Sequence, residues 1–344
     1  MSQTQAKPRM NDIVLMRVFA ILGVVAFHVY QMTYTAGHFP ENIKEVLGAL
    51  YFLPISCVLI NIAMPLFLAI SGYLFYWQLQ RGKLTTWREM LAKKAQRIIV
   101  PYLAFSVVML LTTGHFTEFN SWIPVVRGGY WHLWFLPALL WCFITGYALK
   151  TLMVRWWGAS IILVVSFIVQ CMPKFLPPLF GLYNLTPWFL WFALGGVILL
   201  YKTQIYNVLH HIYIYIDALL LCFGVAGLIL FPAEYGEETP FTSVFIFVAV
   251  VGIFSLLARF NLSWVDRVPA ITLIDRWSFG LYIFHNWMAL YLISNSAKRL
   301  LHLEDLALSH PYIYPFCFFL ATLAISSFLT YLLLKTRIGR YLIG

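Results

Sequence analysis

The stretch RVFAILGVVAFH, residues 17–28, decides how the rest of the chain is read. Every residue between its ends is apolar or glycine, which predicts a helix lying inside a membrane. Its ends are an arginine and a histidine eleven residues apart, close to three turns of a 3.6-residue helix. Arg17 and His28 therefore leave from nearly the same face. At 1.5 Å per residue they stand about 16 Å apart along the axis, too far for an ordinary ion pair. Titratable groups in a membrane-spanning helix are costly, and they mark functional positions. Two on one face point to a tunnel with different tasks at two depths.

The chain around this helix has 344 residues, of which 62% are hydrophobic and only 10% charged, outside the range of soluble globular proteins. Ten apolar runs are candidate spans, at roughly 13–36, 50–78, 98–114, 131–149, 158–172, 184–201, 212–231, 240–258, 271–295 and 311–334. With the amino terminus inside, 17 of the 23 basic residues fall in cytoplasmic segments and five outside, leaving Arg17 within the membrane. That bias obeys the positive-inside rule and supports an even number of spans with both termini cytoplasmic. The expected fold is an all-α polytopic membrane protein of about ten transmembrane helices, forming one integral domain over residues 1–344. No Ser/Gly linker, repeat or long soluble segment interrupts it.

The net charge of +10 is read as topology signal and attraction to membrane lipids with anionic heads. Dispersed over short loops, it argues against a nucleic-acid partner. The loop RGKLTTWREMLAKKAQR (81–97) is dense enough to meet a polyanionic ligand, with plain topology as the alternative. Cys57, Cys142, Cys171, Cys222 and Cys317 lack paired spacing and read as small core residues. The first apolar run is long and has no small-residue cleavage site, so no removable leader is expected.

Several residues can carry chemistry. A neutral imidazole at His28 can take a proton from a hydroxyl attacking a carbonyl; the alternative is a histidine satisfied by a neighbouring helix. Arg17 has a planar fork suited to phosphate oxygens, or it snorkels to the inner interface. In PLFLAISGYLF (65–75), Ser71 and Gly72 allow close helix approach. In KKAQRIIVPYL (93–103), Lys93, Lys94 and Arg97 form a basic helix start facing the cytoplasm. In GGYWHLWFLPALLW (128–141), His132 stands beside Trp131 and Trp134, rings that can stack on a sugar or simply form an interfacial belt. His285, in SFGLYIFHNW (278–287), is a second intramembrane imidazole, and Asp217 is a lone carboxylate expected to make a buried polar contact. No triad, phosphate loop or metal-ligand spacing is found, so no metal is expected.

Taken in order, Arg17 and His28 (R-x10-H), the SG at 71–72, Arg97 and Pro101 (R-x3-P), HLWFLPALL and SFGLYIFH resemble the membrane acyltransferase family 3, also called the O-acetyltransferase family. The likeness covers nearly the whole chain and matches the stand-alone membrane form. It implies a cytoplasmic acyl-CoA donor, acetyl-CoA or another short-chain acyl-CoA, and an acceptor hydroxyl on a surface or exported glycan or its lipid-linked precursor. The cytoplasmic (inner) membrane is the implied location. The resemblance makes His28 the essential histidine, maps the family arginine onto Arg17, and places Arg97, His132 and His285 along the tunnel. Relatives carry an Asp three or four residues before the Arg; here Asp12 is five before. On physical grounds Arg17, Lys93, Lys94 and Arg97 would meet the phosphate-rich head of the donor. Trp131, His132, Trp134 and His285 would bind the acceptor. The rival reading is a transporter or flippase of a polysaccharide precursor.

Overall fold

A computed structural model describes residues 10–35, 41–42, 45, 53–210, 214–231, 240–286 and 303–344. The part of the expected ninth span beyond 286 lies outside the described residues. Within them the chain is helical, with no strand.

The longer helices are α1 (Asn11–Thr35), α2 (Leu53–Gln80), α3 (Trp87–Thr112), α4 (Phe119–Arg127), α5 (Phe135–Ala148), α6 (Trp156–Gln170), α7 (Leu185–Leu200), α8 (Ile214–Leu230), α9 (Pro240–Arg259), α10 (Pro269–Phe284) and α11 (Tyr314–Lys335). Each expected span falls on one of them. Six helices are long and apolar enough to cross a membrane by themselves: Asn11–Thr33, Asn61–Gln80, Trp87–Thr112, Leu182–Leu200, Pro240–Arg259 and Tyr314–Lys335. Two further apolar helices, α6 and α8, are shorter. On α6, Ile161, Val164, Val165 and Ile168 each expose half or more of their surface. Apolar side chains turned outward in such a row suit lipid and would be a liability in water. The protein is a multi-pass membrane protein.

No charged residue occurs in α2, and a helix apolar on all sides belongs inside a bundle. It packs on α1, α5, α7, α8 and α9 and so forms the hub. Its closest partner is α7, and the contact is made by backbone. A Cβ built on Gly72 would sit 1.9 Å from the Phe192 carbonyl oxygen, and one on Gly195 only 1.8 Å from that of Ala69. The close approach expected of the Ser71–Gly72 step is thus present, because only hydrogen fits at either position. Helix association in a bilayer relies on such packing, since lipid tails are as apolar as leucine.

On another side of α2, helices α1, α10 and α11 pack mutually. The α1 start is tied to the 3-10 turn Ser263–Arg267 that precedes α10: Asn11 Nδ2 donates to the Leu262 carbonyl at 2.9 Å and to Asp266 Oδ2 at 3.0 Å. Thr330 of α11 fills the space left by Gly280 of α10. Elsewhere, Asp217 of α8 is fully buried and accepts from Ser255 Oγ at 2.7 Å and from Arg259 Nε, both on α9. The lone carboxylate therefore joins α8 to α9, the buried contact foreseen for it. Pro65 and Pro101 lie inside α2 and α3.

Replacing Gly72 with Leu would force α2 from α7 against a rigid backbone, at more than the ~1–3 kcal/mol of an ordinary overpacked core. Size-exclusion chromatography in detergent should show loss of the monodisperse peak for Gly72→Leu, whereas Gly82→Leu, at an open turn, should keep the peak at reduced thermal stability.

Candidate active site

The face shared by Arg17 and His28 turns toward α10. At one depth, Arg17 Nη1 donates to Asp275 Oδ1 at 2.8 Å. Eleven residues along, the His28 ring meets the His285 ring, just past the end of α10, with centroids 5.0 Å apart. Arg17 finds its partner 258 residues on and His28 finds its ring neighbour at nearly the same offset. The two helices therefore run parallel and in register across the whole interval. Arg17 is half-buried, with 27% side-chain exposure against 12% for Asp275. A guanidinium has five N–H donors, so the ion pair leaves others for an anion. The carboxylate facing Arg17 comes from α10, not from Asp12 on its own helix.

The His28 end is a row of three imidazoles. His285 neighbours His28 on one side and His132 on the other, the latter at a centroid separation of 5.2 Å. His28 is half-buried, whereas His285 and His132 are buried. His285 Nδ1 lies 2.7 Å from the Tyr282 carbonyl oxygen and 3.1 Å from that of Leu281. A carbonyl only accepts, so Nδ1 carries the hydrogen. His132 Nε2 likewise donates to the Ile283 carbonyl at 3.0 Å, and the Tyr282 hydroxyl donates to the His132 carbonyl. These bonds clasp the His132 turn to the end of α10. They leave His285 Nε2 and His132 Nδ1 buried and without a hydrogen-bond partner among the described residues.

His132 reaches this position because of a strained turn. Residues Trp131–Trp134 form a 3-10 turn before α5, and Trp131 has φ of 47°, in the left-handed region that bulky residues avoid. The segment is pinned just upstream. Gly128 (φ 74°) packs so tightly that a Cβ would stand 2.3 Å from the Gly181 nitrogen, and that N–H donates to the Arg127 carbonyl at 2.7 Å. Trp141 Nε1 adds a bond to the Phe180 carbonyl at 3.0 Å. Held this way, Trp131 turns outward and stays half exposed while His132 turns in. Trp134 packs beside Trp188 of α7, ring centroids 5.3 Å apart.

The basic helix start in α3 is divided in orientation. Lys93 is exposed and bonded to Glu89 and the Lys83 carbonyl. Arg97 is exposed and donates to the Gly344 carbonyl at 3.3 Å. Lys94 points the other way, its ammonium 4.1 Å from the Phe143 ring centroid and 5.6 Å from that of Phe75, a cation held on aromatic faces. The structure thus joins Arg17 to Asp275, and His28 to His285 and His132. It does not join Lys93, Lys94 and Arg97 into one cradle. Sequence reasoning missed Asp275, Tyr282 and Trp188. The available signal for Asp275 was an acid inside one apolar run matching a base inside another. Among the described residues, no group of His, Cys, Asp or Glu is arranged to hold a metal ion.

With this geometry in place, the comparison with known families is decisive. A family model described as an acyltransferase domain matches residues 10–332. The chain belongs to the acyltransferase-3 family. The match runs from the first residue of the described α1 segment to within a few residues of the end of α11, so it takes in the whole Arg17–His28–His285 assembly. No curated protein and no solved structure matches the chain.

Breaking the ion pair of Arg17 with Asp275 should cost stability because a half-buried charge loses its partner. Asp275→Ala should lower the thermal midpoint in detergent, and adding Arg17→Ala should recover part of the loss. A double-mutant cycle should return a coupling of about 1 kcal/mol between the two residues.

Proposed function

We propose that the chain is a membrane O-acyltransferase that moves an acetyl or other short acyl group from cytoplasmic acyl-CoA to a hydroxyl of a surface or exported glycan, or of its lipid-linked precursor. Family membership supports acyl transfer. The observation that carries the rest is one helix face bearing a partly exposed guanidinium at one depth and a partly exposed imidazole about 16 Å farther along. In this reading both termini lie on the cytoplasmic side, and the membrane is the cytoplasmic (inner) one.

The donor's phosphates meet the basic inner side. Arg17 supplies the spare donors of its fork, and Lys93, Lys94 and Arg97 add positive charge around the entrance. The mostly uncharged arm of coenzyme A then follows α1 outward, and the thioester arrives beside His28. A hydroxyl of the acceptor attacks the thioester carbonyl carbon while His28 takes its proton. The C–S bond breaks with its electron pair going to sulfur, and His28 returns the proton to the departing thiolate. Trp131 offers an exposed ring at the mouth on which a sugar can stack, with Trp134 and Trp188 behind it. His132 and His285 act from behind His28.

The test is acyl transfer itself. Cells making the His28→Ala protein at the normal level should lose the alkali-released acyl groups on their surface saccharide by about 10²-fold or more, the range for a lost general base. Near-normal acylation would refute the role. For Arg17→Ala, the KM for labelled acetyl-CoA in proteoliposomes should rise with a smaller change in kcat, and an unchanged donor affinity would reject that assignment. Acceptor movement across the vesicle without transfer of label would favour the transporter reading.

A further inference from the structure

The three imidazoles have unequal access, and that inequality assigns a role to the middle one. His28 is half-buried, whereas His285 shows no exposure. His285 therefore does not meet a substrate directly. Its Nδ1–H is engaged by two backbone carbonyls, which fixes the ring orientation and leaves Nε2 as a lone pair. That nitrogen is buried and has no hydrogen-bond partner among the described residues. An unmet acceptor in an apolar interior costs about 1–3 kcal/mol, and its nearest ring neighbour on the exposed side is His28.

We infer that His285 is a positioning residue for His28: its bare Nε2 accepts the N–H of the His28 ring nitrogen that faces away from the substrate. The 5.0 Å centroid separation suits this, because imidazoles joined edge to edge by an N–H···N bond of about 3 Å stand about 5 Å apart centre to centre. The rings are tilted by 45°, and a turn of His28 about its soft second side-chain torsion aims the N–H at Nε2. One tautomer of His28 is then selected, with its other nitrogen bare toward the acceptor hydroxyl, as the third member of a nucleophile–base–orienter set does. When His28 takes the hydroxyl proton, the resulting imidazolium keeps its rear N–H on His285. The proton it gained goes to the thiolate as the C–S bond breaks, and His285 neither gains nor loses one. His132 and Tyr282 serve this arrangement indirectly, by clasping the end of α10 whose carbonyls hold His285.

This rests on His28 being the base, and the test separates the two ideas with a pair of amides. His285→Asn places its amide near the old Nδ1, keeping the bond to the Tyr282 carbonyl while deleting the Nε2 acceptor. His285→Gln reaches the old Nε2 position with a carbonyl oxygen that can accept from His28. Two readouts apply to the full chain. The first is alkali-released acyl groups on the surface saccharide of cells expressing each variant. The second is the rate of carbethoxylation of His28 by diethyl pyrocarbonate in the purified protein, resolved by peptide mass spectrometry. The positioning role expects His285→Asn to fall roughly tenfold or more in both, and His285→Gln to stay within about threefold of the parent. If His285 matters only for its bond to the α10 carbonyls, the order reverses, with Asn near normal and Gln reduced. That reversal, or two folded variants both at parental rates, overturns the inference while leaving His28 as base. Acylation that survives His28→Ala overturns the base assignment, and the positioning role falls with it.

Discussion

The parallel register of α1 and α10 is the constraint on which the functional part of the molecule depends. Two contacts at two depths define it: the ion pair of Arg17 with Asp275, and the ring contact of His28 with His285. Between them α1 is apolar, α10 carries Arg276 and Ser278, and both helices pack with α11. A one-residue slip would carry the guanidinium away from its carboxylate and lose the coupling between them, about 1 kcal/mol for this partly exposed pair. The ion pair thus sets the axial position, and the ring contact eleven residues farther on inherits it. The position of the imidazoles is thus held by electrostatics eleven residues away.

Much of the architecture was legible because a bilayer imposes a simple grammar. Apolar runs of sufficient length become helices, and each of the ten expected stretches falls on one. Six of those helices are long and apolar enough to span unaided. Among the shorter ones, α5 is cut back because its apolar run begins as the turn Trp131–Trp134, and hydropathy does not register that change of backbone. The shared face of Arg17 and His28 followed from helical period alone. The Gly72 approach was visible as small residues inside an apolar run, and its partner Gly195 was not, since nothing in the chain says which two helices meet.

The site was legible in its members and illegible in its pairings. Asp275 escaped notice because its partner is 258 residues away and no local spacing encodes that contact. His132 and His285 stood out in the sequence as imidazoles in apolar runs, but nothing in it could anticipate the carbonyls that occupy Nε2 of one and Nδ1 of the other. Which way a side chain turns from a 3-10 turn depends on backbone angles such as the left-handed Trp131, which no helical wheel describes. Lys94 shows the same limit: one residue from the solvent-facing Lys93, it turns inward onto Phe143 and Phe75.

The reciprocal seating of α2 and α7 has a mechanical consequence. Each helix inserts a carbonyl oxygen into the notch left by a glycine of the other, Phe192 into Gly72 and Ala69 into Gly195. Gly72 is flanked by Ser71 and Tyr73, so sliding either helix along its axis would drive the Phe192 oxygen against a side chain. The pair works as a keyed shaft, free to part but not to glide. Any opening of the bundle must then come from the helices borne by α2 on its other side, with the keyed pair as the fixed frame against which they move.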